Sequence, residues 1–258
     1  VNAMLEALAN GETQPMPTPG LTDPDDVPEV PTESWVKRGD LFQLGAHRVM
    51  CGDSTILVEV KKVMASNESQ LLLTDPPYGI GYEGNGHNYK WARRGIEKIA
   101  NDDLRDDQQR FWTASLQQWP LSGDVYVFCA PGPNMSSMES SIVAAGIEHH
   151  QWLIWQKQHF SIGRSHYHYR HEPIFYGWKG KSSWQGSRNL DSVWEEPRPS
   201  SSPAHPTTKP TVLMERAIIA SSKPSDIIAD PFLGSGTTLI ACEKLGRICY
   251  GMEIAPRY

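Results

Sequence analysis

The stretch Asp75-Pro76-Pro77-Tyr78 combines residue types that could hold a planar base by an amine. It follows Leu71-Leu72-Leu73, an apolar run that predicts a buried strand of a parallel sheet, and two prolines cannot continue a strand ladder. The acid and the ring should therefore lie at the carboxyl edge of the sheet, where open α/β folds bind ligands. Asp75 and the Pro76 carbonyl can accept amine hydrogens, and the Tyr78 ring can stack on the base. An ordinary tight turn is the alternative interpretation of this stretch alone.

A second turn lies far downstream, in Asp230-Pro231-Phe232-Leu233-Gly234-Ser235-Gly236-Thr237-Thr238. A strand-like run from Asp226 to Ala229 precedes it, and an apolar helical pattern that stops at Gly246 follows. Glycines let a backbone approach a ligand closely, and a helix amino terminus offers free N–H groups. No Gly-Lys-Ser/Thr follows, so this is not a Walker loop, and the spacing departs from the dinucleotide fingerprint. Alone, it too could be only a tight turn.

The two turns together form a more specific pattern than either does alone. Glu253 closes the next strand-like run, Arg247 to Met252, and could hold a ribose by its hydroxyls. The pair of turns resembles the amino-methylating DNA methyltransferases that use S-adenosylmethionine. Asp75 to Tyr78 is similar to the catalytic turn of that family, and Phe232 to Gly236 is similar to its Phe-x-Gly-x-Gly cofactor turn.

Two further segments extend the resemblance to roughly residues 35 to 258. His205-Pro206-Thr207-Thr208-Lys209-Pro210 precedes a predicted helix that runs to about Ser222. Cys51-Gly52-Asp53-Ser54 follows the strand-like His47 to Met50, and the acid of this segment lies near the cofactor adenine in the family. The resemblance implies a catalytic turn made of Asp75, Pro76, Pro77 and Tyr78. It implies a site for S-adenosylmethionine made of Asp53, Asp75, His205, Pro206, Thr207, Lys209, Asp230, Phe232, Gly234, Ser235, Gly236, Thr237, Thr238 and Glu253.

The fold that the resemblance implies is a Rossmann-like class I methyltransferase fold. This α/β fold has a mostly parallel seven-stranded sheet with helices on both faces. Because the catalytic turn precedes the cofactor turn, the order is the circularly permuted one of the β group, and the strands that end near Asp53 and Glu253 should be neighbours. The strands Val125–Cys129, Gln151–Trp155 and Pro173–Trp178 complete the sheet. A helix is predicted from Asp107 to Trp119.

The charge distribution favours DNA as a partner in one part of the chain. The formal net charge is −6, but the first 40 residues carry all of it, and the remaining 218 residues are neutral. Between Lys157 and Arg188 lie six Lys or Arg, four His and one acid, Glu172. A basic patch of this kind is the footprint of a nucleic-acid surface, although charge runs are also common on solvated faces. The predicted DNA-binding residues are Lys90, Arg93, Arg94, Arg164, Arg170, Lys179, Lys181 and Arg188.

Two irregular segments are predicted to serve the DNA. The loop from Gly79 to about Asp103 is interpreted as a lid beside the active site, with a plain surface loop as the alternative. Residues 179–204, from Lys179 to Ala204, occupy the position of a short target-recognition segment within a catalytic domain of residues 35–258. Residues 1–34 hold six prolines and many acids, and they are predicted to be a linker or strap. Relatives with such a lead often carry a ParB-like domain upstream, by resemblance only.

The composition agrees with a soluble enzyme domain, and the resemblance implies a cytoplasmic protein that is bacterial or phage-encoded. There is no apolar run of about 18 residues, so no membrane span is expected. The four cysteines show no metal-ligand spacing and are expected to be buried reduced thiols, so no metal is predicted. Pairing as a homodimer is a weaker expectation from the β group.

The expected reaction is methyl transfer to adenine N6 of a base flipped out of DNA. Asp rather than Ser at position 75 favours adenine, and cytosine N4 stays open as the alternative. A third possibility is a regulatory module that binds cofactor and DNA without catalysis. Enzymes that act on RNA adenine or protein glutamine share the catalytic turn, but they normally place the cofactor turn first.

Overall fold

The computed structural model describes residues 34–80, 100–160, 166–187, 189–197 and 209–256. Within these ranges, nine strands form one sheet in the order β1-β2-β9-β8-β3-β4-β6-β5-β7. The strands are β1 (Leu41–Leu44), β2 (His47–Cys51), β3 (Ser69–Thr74), β4 (Leu121–Phe128), β5 (Glu148–Gln156), β6 (His171–Lys179), β7 (Val193–Glu195), β8 (Ile227–Asp230) and β9 (Ile248–Glu253). The helices are α1 (Leu57–Met64), α2 (Gln108–Gln117), α3 (Asn134–Ala144), α4 (Thr211–Ser221) and α5 (Thr237–Lys244).

The centre of the sheet is parallel and fully covered. Strand β3 lies between β8 and β4, and both pairings are parallel. Leu71, Leu72 and Leu73 are completely buried, which fits a strand whose two faces are both packed against helices. Leu71 and Leu73 pack in a cluster with α4 and α5, whereas Leu72 packs in a second cluster with α1, α2 and α3. The predicted three-layer α/β arrangement is confirmed.

The predicted number of seven strands was wrong, because the described residues form nine. The two additional strands are the short edge strands β1, which pairs antiparallel with β2, and β7, which pairs parallel with β5. Neither strand has a clear apolar alternation. Each is formed by pairing with the free edge of a neighbouring strand. Five of the eight pairings are parallel, so the sheet is mostly parallel as predicted.

Strands β2 and β9 pair in parallel, with Cys51 opposite Glu253. This bears out the prediction that the strands ending near Asp53 and Glu253 are neighbours. Because β2, β9, β8 and β3 all run in the same direction, the turns that follow them leave the sheet at one edge. This edge, the carboxyl edge, holds both the turn that follows β3 and the glycine turn that follows β8.

Strand β6 reverses direction and brings a different end of the chain to the carboxyl edge. It pairs antiparallel with β4, so that Phe128 lies opposite Ile174 and Gly123 lies opposite Lys179. The first residues of β6, His171 and Glu172, therefore lie at the carboxyl edge, and its last residue lies at the opposite edge.

Two helices had no counterpart in the sequence prediction. Helix α1 buries Val60, Val63 and Met64, and α3 buries Met138 and Ile142, so each has only a narrow apolar stripe. The predicted helix from Asp107 to Trp119 is present as α2, and Pro120 follows it at the start of β4. None of the helices in the described ranges is long and apolar enough to cross a bilayer.

Candidate active site

The turn after β3, Asp75 to Tyr78, is held in place by hydrogen bonds from helices α2 and α3. Trp112 of α2 donates a hydrogen bond from Nε1 to the Pro77 carbonyl at 2.8 Å. Asn134, the first residue of α3, donates from Nδ2 to the Tyr78 carbonyl at 2.9 Å. These two side chains hold the backbone of the turn, so Asp75 and Tyr78 can project from the carboxyl edge.

Both carboxylate oxygens of Asp75 already have partners within the chain. The Tyr78 hydroxyl donates to Asp75 Oδ1 at 2.7 Å. The Lys209 ammonium donates to Asp75 Oδ2 at 2.5 Å and to the Tyr78 hydroxyl oxygen at 3.0 Å. The sequence predicts that Asp75 binds the amine of a base. In this structure Asp75 instead binds the ammonium group of Lys209.

Glu172, the second residue of β6, also belongs to this cluster. Its Oε2 lies 3.2 Å from the Tyr78 hydroxyl and 3.4 Å from Lys209 Nζ. Its Oε1 accepts a hydrogen bond from Lys157, which follows the end of β5. Two carboxylates and two ammonium groups are therefore grouped around one tyrosine hydroxyl, and their formal charges balance.

The electrostatics keep Tyr78 protonated and Lys209 charged. Burial raises the pKa of Tyr78 well above its ordinary value, and the negative charges of Asp75 and Glu172 raise it further. Burial acts to lower the pKa of Lys209, but Asp75 and Glu172 outweigh it, and the net change is upward. Lys209 is 7% exposed, and its Nζ lies 5.3 Å from the centre of the Tyr78 ring and 5.4 Å from that of Phe128.

The second turn meets the first through a buried hydrogen bond. Asp230, the last residue of β8, is 2% exposed, and its Oδ1 accepts from Thr74 Oγ1 at 2.6 Å and from Phe232 N at 3.0 Å. Burial raises the pKa of Asp230 to about 6. The Phe232 ring lies 5.7 Å from that of Phe111 in α2, the helix that also holds the first turn. The two turns therefore belong to one site.

The glycine turn leaves its backbone accessible to a ligand. Gly234 and Gly236 have φ values of 54° and 88°, in the left-handed region that favours glycine. A Cβ atom at either position would meet no heavy atom within 4 Å, so open space lies beside the turn. Gly236 also precedes the first residue of α5, whose amino-terminal N–H groups point outward at the carboxyl edge.

Two acids from neighbouring strands lie beside the glycine turn. Glu253 accepts from Gly234 N at 3.0 Å through Oε2 and from Ala255 N at 2.7 Å through Oε1. The Glu253 carbonyl accepts from Gly52 N at 2.9 Å, which brings Asp53 next to this strand end. Both acids are partly exposed, so their remaining lone pairs can accept hydrogen bonds from hydroxyl or amino groups of a ligand.

The structure gathers most of the predicted cofactor and catalytic residues that it describes. Asp53, Asp75, Asp230 and Glu253 all lie at the carboxyl edge, as do the catalytic turn and the glycine turn. His205, Pro206 and Thr207 lie outside the described residues, as do Lys90, Arg93, Arg94, Arg164 and Arg188. The predicted lid lies outside them over residues 81–99.

The three predicted DNA-binding residues that are described do not share one surface. Arg170 is exposed next to the site, and its carbonyl accepts a hydrogen bond from Lys157 N at 2.8 Å. Lys179 ends β6 at the opposite edge, and Lys181 follows it there. Lys179 lies seven positions after Glu172 along the strand, or roughly 23 Å away at about 3.3 Å per residue. The reversal of β6 separates residues that the sequence analysis predicted to form one basic patch.

Sequence reasoning missed the involvement of Lys157, and it placed Lys209 on the cofactor side. The segment His171-Glu172-Pro173 resembles a family segment near the target base, but the sequence alone assigned no role to Glu172, the single acid in a basic run. Within the described ranges, no group of three His, Cys, Asp or Glu side chains could hold a metal ion.

The chain is similar to known proteins along most of its length. It matches the family model described as DNA methylase over residues 69–258. The type II methyltransferase M2.DpnII of Streptococcus pneumoniae is 32% identical over 170 residues, which cover 65% of this chain and 56% of that protein. The chain spans just over half the length of the curated relatives that it matches over this stretch.

Solved structures show the same fold. The M1.HpyAVI–SAM complex has a TM-score of 0.58 and 23% identity, with 81% of this chain and 94% of that chain covered. The PvuII DNA methyltransferase, which is cytosine-N4-specific, has a TM-score of 0.59 and 17% identity, with 88% and 87% covered. At these identities the likeness extends to the fold alone.

Proposed function

Because the chain belongs to the DNA methylase family, we propose that it transfers a methyl group from S-adenosylmethionine to adenine N6 of a base flipped out of DNA. One observation carries the proposal. The amine-binding turn after β3 and the glycine turn after β8 share one edge of the sheet, where Thr74 Oγ1 donates to Asp230 Oδ1 at 2.6 Å. A methyl donor bound at the glycine turn and a base amine bound at the turn after β3 would therefore be neighbours.

The proposed cofactor site fits S-adenosylmethionine in its chemistry. Glu253 is the candidate for the ribose hydroxyls and Asp53 for the adenine amine, because both acids are partly exposed beside the glycine turn. The open backbone at Gly234 and Gly236 and the N–H groups of α5 suit the carboxylate of the methionine part. When bound, this cofactor supplies a methyl group on a positively charged sulfur.

The proposed target site orients a nitrogen lone pair. Extruding a base from a duplex costs a few kcal/mol, and stacking on the Tyr78 ring returns about 1–3 kcal/mol. Asp75 and the Pro76 carbonyl accept the two amine hydrogens, so that the lone pair points away from them. Positioning of this kind provides a large part of many rate enhancements. Direct transfer to the nitrogen needs no covalent enzyme intermediate.

The cysteines of the described ranges are unsuited to act as nucleophiles. All four are buried, and burial raises the pKa of the Cys129 thiol far above its ordinary value. A thiol with a raised pKa is not a thiolate at neutral pH, and only the thiolate is strongly nucleophilic. This supports direct transfer rather than attack on the base by the protein.

The permuted β-group arrangement forms part of the proposal. The catalytic turn precedes the glycine turn in the chain, and β2 pairs in parallel with β9. The DNA is proposed to approach the carboxyl edge, next to Arg170. Adenine is proposed as the target because residue 75 is Asp, whereas the likeness to a cytosine-N4-specific enzyme is one of fold alone.

The proposal is tested by incubating the protein with unmethylated duplex DNA and S-adenosylmethionine that carries a labelled methyl group. The DNA is then digested, and the nucleosides are identified by mass spectrometry. N6-methyladenine is the expected product, and D75A should form none while still binding the cofactor. N4-methylcytosine would overturn the choice of adenine. Cofactor binding without any methyl transfer to DNA would instead support a non-catalytic module.

A further inference from the structure

An acceptor and a donor lie side by side in the proposed target site. Asp75 Oδ2 and Lys209 Nζ are 2.5 Å apart, and both belong to groups that are charged and mostly withdrawn from solvent. Lys209 is 7% exposed, and it directly precedes Pro210, the residue before helix α4. The two groups come from segments 134 residues apart in the chain, so the fold creates this adjacent pair.

This adjacent pair is complementary to the base edge that the proposed reaction requires. Adenine presents an amine donor at C6 and an unprotonated ring nitrogen, N1, bonded to the same carbon. Cytosine presents the same two groups as its N4 amine and N3. In thymine and guanine, the corresponding ring nitrogen of the pairing edge carries a hydrogen and cannot accept. A carboxylate next to an ammonium therefore matches the pairing edges of adenine and cytosine and does not match those of thymine and guanine.

We propose that Lys209 is a target-base residue whose ammonium donates a hydrogen bond to the ring nitrogen beside the amine that Asp75 holds. This inference rests on the proposed function and deepens it, because it gives the site a means of selecting the base. It also moves Lys209 from the cofactor side, where the sequence resemblance put it, to the target side.

Glu172 provides Lys209 with a carboxylate partner both before and after a base binds to Asp75. Its Oε2 lies 3.4 Å from Lys209 Nζ and 3.2 Å from the Tyr78 hydroxyl, so it already contacts both groups that cover Asp75. When a base amine takes Asp75, the ammonium keeps Glu172 as its counter-ion. Lys157 holds the other oxygen of Glu172 and fixes the position of that carboxylate. Glu172 is thus a positioning residue in this arrangement.

The test uses a chemical change in the base beside a change in the protein. After the methylated base has been mapped, two duplexes are made in which the target is either the natural base or its analogue with C–H in place of the ring nitrogen. The analogue is 1-deazaadenine for an adenine target and 3-deazacytosine for a cytosine target. In both duplexes the target stands opposite an abasic site, so that a difference in base pairing does not affect the rate.

The wild-type enzyme should methylate the analogue with kcat/KM lowered about tenfold to a hundredfold, as expected when a hydrogen bond to a charged donor is lost. K209M should show a similar loss on the natural base and little additional loss on the analogue. Equal rates of the wild-type enzyme on both duplexes would overturn the proposal, and this comparison needs no variant. Additive losses in K209M would also overturn it, because a purely structural role affects both substrates equally.

Two controls separate this inference from the proposed function. If the wild-type enzyme methylates neither duplex, the proposed function fails before Lys209 is tested. Cofactor affinity of K209M, measured by calorimetry, should stay within about threefold of wild type, given that the contacts of Lys209 lie on the target side. A large loss of cofactor affinity would return Lys209 to the cofactor site and refute the inference.

Discussion

Thr74 and Asp230 are joined by a buried hydrogen bond of 2.6 Å between the ends of two adjacent parallel strands. Thr74 directly precedes Asp75, and Asp230 begins the glycine turn. The contact between Oγ1 and Oδ1 therefore joins the two halves of the proposed site, in addition to the pairing of their strands. The contact is fully enclosed, since Thr74 is 0% and Asp230 is 2% exposed.

Replacing Thr74 by Val should destabilise the protein and loosen the site. The change keeps the shape but removes the donor, so Asp230 loses one of its partners in a buried position. A cost of about 1–3 kcal/mol in the free energy of unfolding is expected. Urea denaturation measures it, and T113V, where the hydroxyl is only part-buried and bonds a carbonyl in α3, serves as the control. Equal stability of T74V and wild type would contradict the role given to this contact.

Asp230 should give the protein a distinctive dependence of stability on pH. Burial raises its pKa from 3.8 to about 6, so the folded protein binds this proton more tightly than the unfolded chain does. The stabilisation is complete below the unfolded pKa, and it is lost as the pH rises through the folded value. D230N cannot titrate, so it should lack this loss of about 2–3 kcal/mol between about pH 4 and pH 7.

The measurement for Asp230 is the difference in unfolding free energy between wild type and D230N across that range. Other carboxylates titrate in both proteins and cancel in the difference. A difference that does not change with pH would show that the pKa of Asp230 is not raised in the folded protein.

The ring of Tyr78 should matter more for methyl transfer than its hydroxyl. Y78A removes the stacking surface, worth about 1–3 kcal/mol per base, and should lower kcat/KM by about fivefold to a hundredfold. Y78F keeps the ring and removes only the hydroxyl that contacts Asp75 and Glu172, so its loss should be within about fivefold. Steady-state methylation of a duplex substrate measures both variants. A Y78F enzyme as impaired as Y78A would assign the role to the hydroxyl instead.

Glu253 should be required for cofactor affinity. E253A removes the carboxylate that accepts from Gly234 N at 3.0 Å, and with it the proposed partner of the ribose. The dissociation constant for S-adenosylmethionine should rise by at least about tenfold, which corresponds to about 1.4 kcal/mol. Calorimetric titration measures this change. E68A alters an exposed acid just before β3 and should bind the cofactor as wild type does.

DNA affinity should depend on Arg170 and much less on Lys179. Arg170 is exposed at the carboxyl edge, whereas Lys179 lies at the opposite edge of the sheet. R170A should weaken binding and reduce the slope of log affinity against log salt concentration by about 1. K179A removes the same charge and should leave both quantities nearly unchanged. A larger effect of K179A would place the DNA on the other edge.

Local features of the chain predicted the parts of the site that depend on neighbouring residues. Leu71 to Leu73 followed by two prolines can hardly form anything but a buried strand that ends at Asp75, and the glycine turn is equally local. The position of Glu172 is different, because it depends on β6 entering the sheet antiparallel to β4. That choice is made by pairing between distant segments, so the resemblance of His171-Glu172-Pro173 to a family segment near the target base does not predict the contacts of Glu172.

The same distinction between local and distant contacts explains why Lys179 and Lys181 were grouped with the basic run and why β7 was not predicted. Lys179 and Lys181 seemed to continue the basic run of residues 157–188, but a strand carries its two ends to opposite edges of a sheet. Strand β7 was missed because Val193 to Glu195 is too short for a pattern, although Trp194 is 6% exposed and contributes to the core. The contact of Lys209 with Asp75 spans 134 positions and could only come from the fold.

The hairpin formed by β5 and β6 has a consequence for how this scaffold can diversify. Gln156 and His171, which border the connecting segment, are paired across the two strands, and just beyond them Lys157 N donates to the Arg170 carbonyl. Residues can therefore be added or removed there while the sheet stays intact, since loops tolerate such changes far better than strands do. Every such change emerges beside Glu172, so new recognition surfaces can arise next to an unaltered chemical centre.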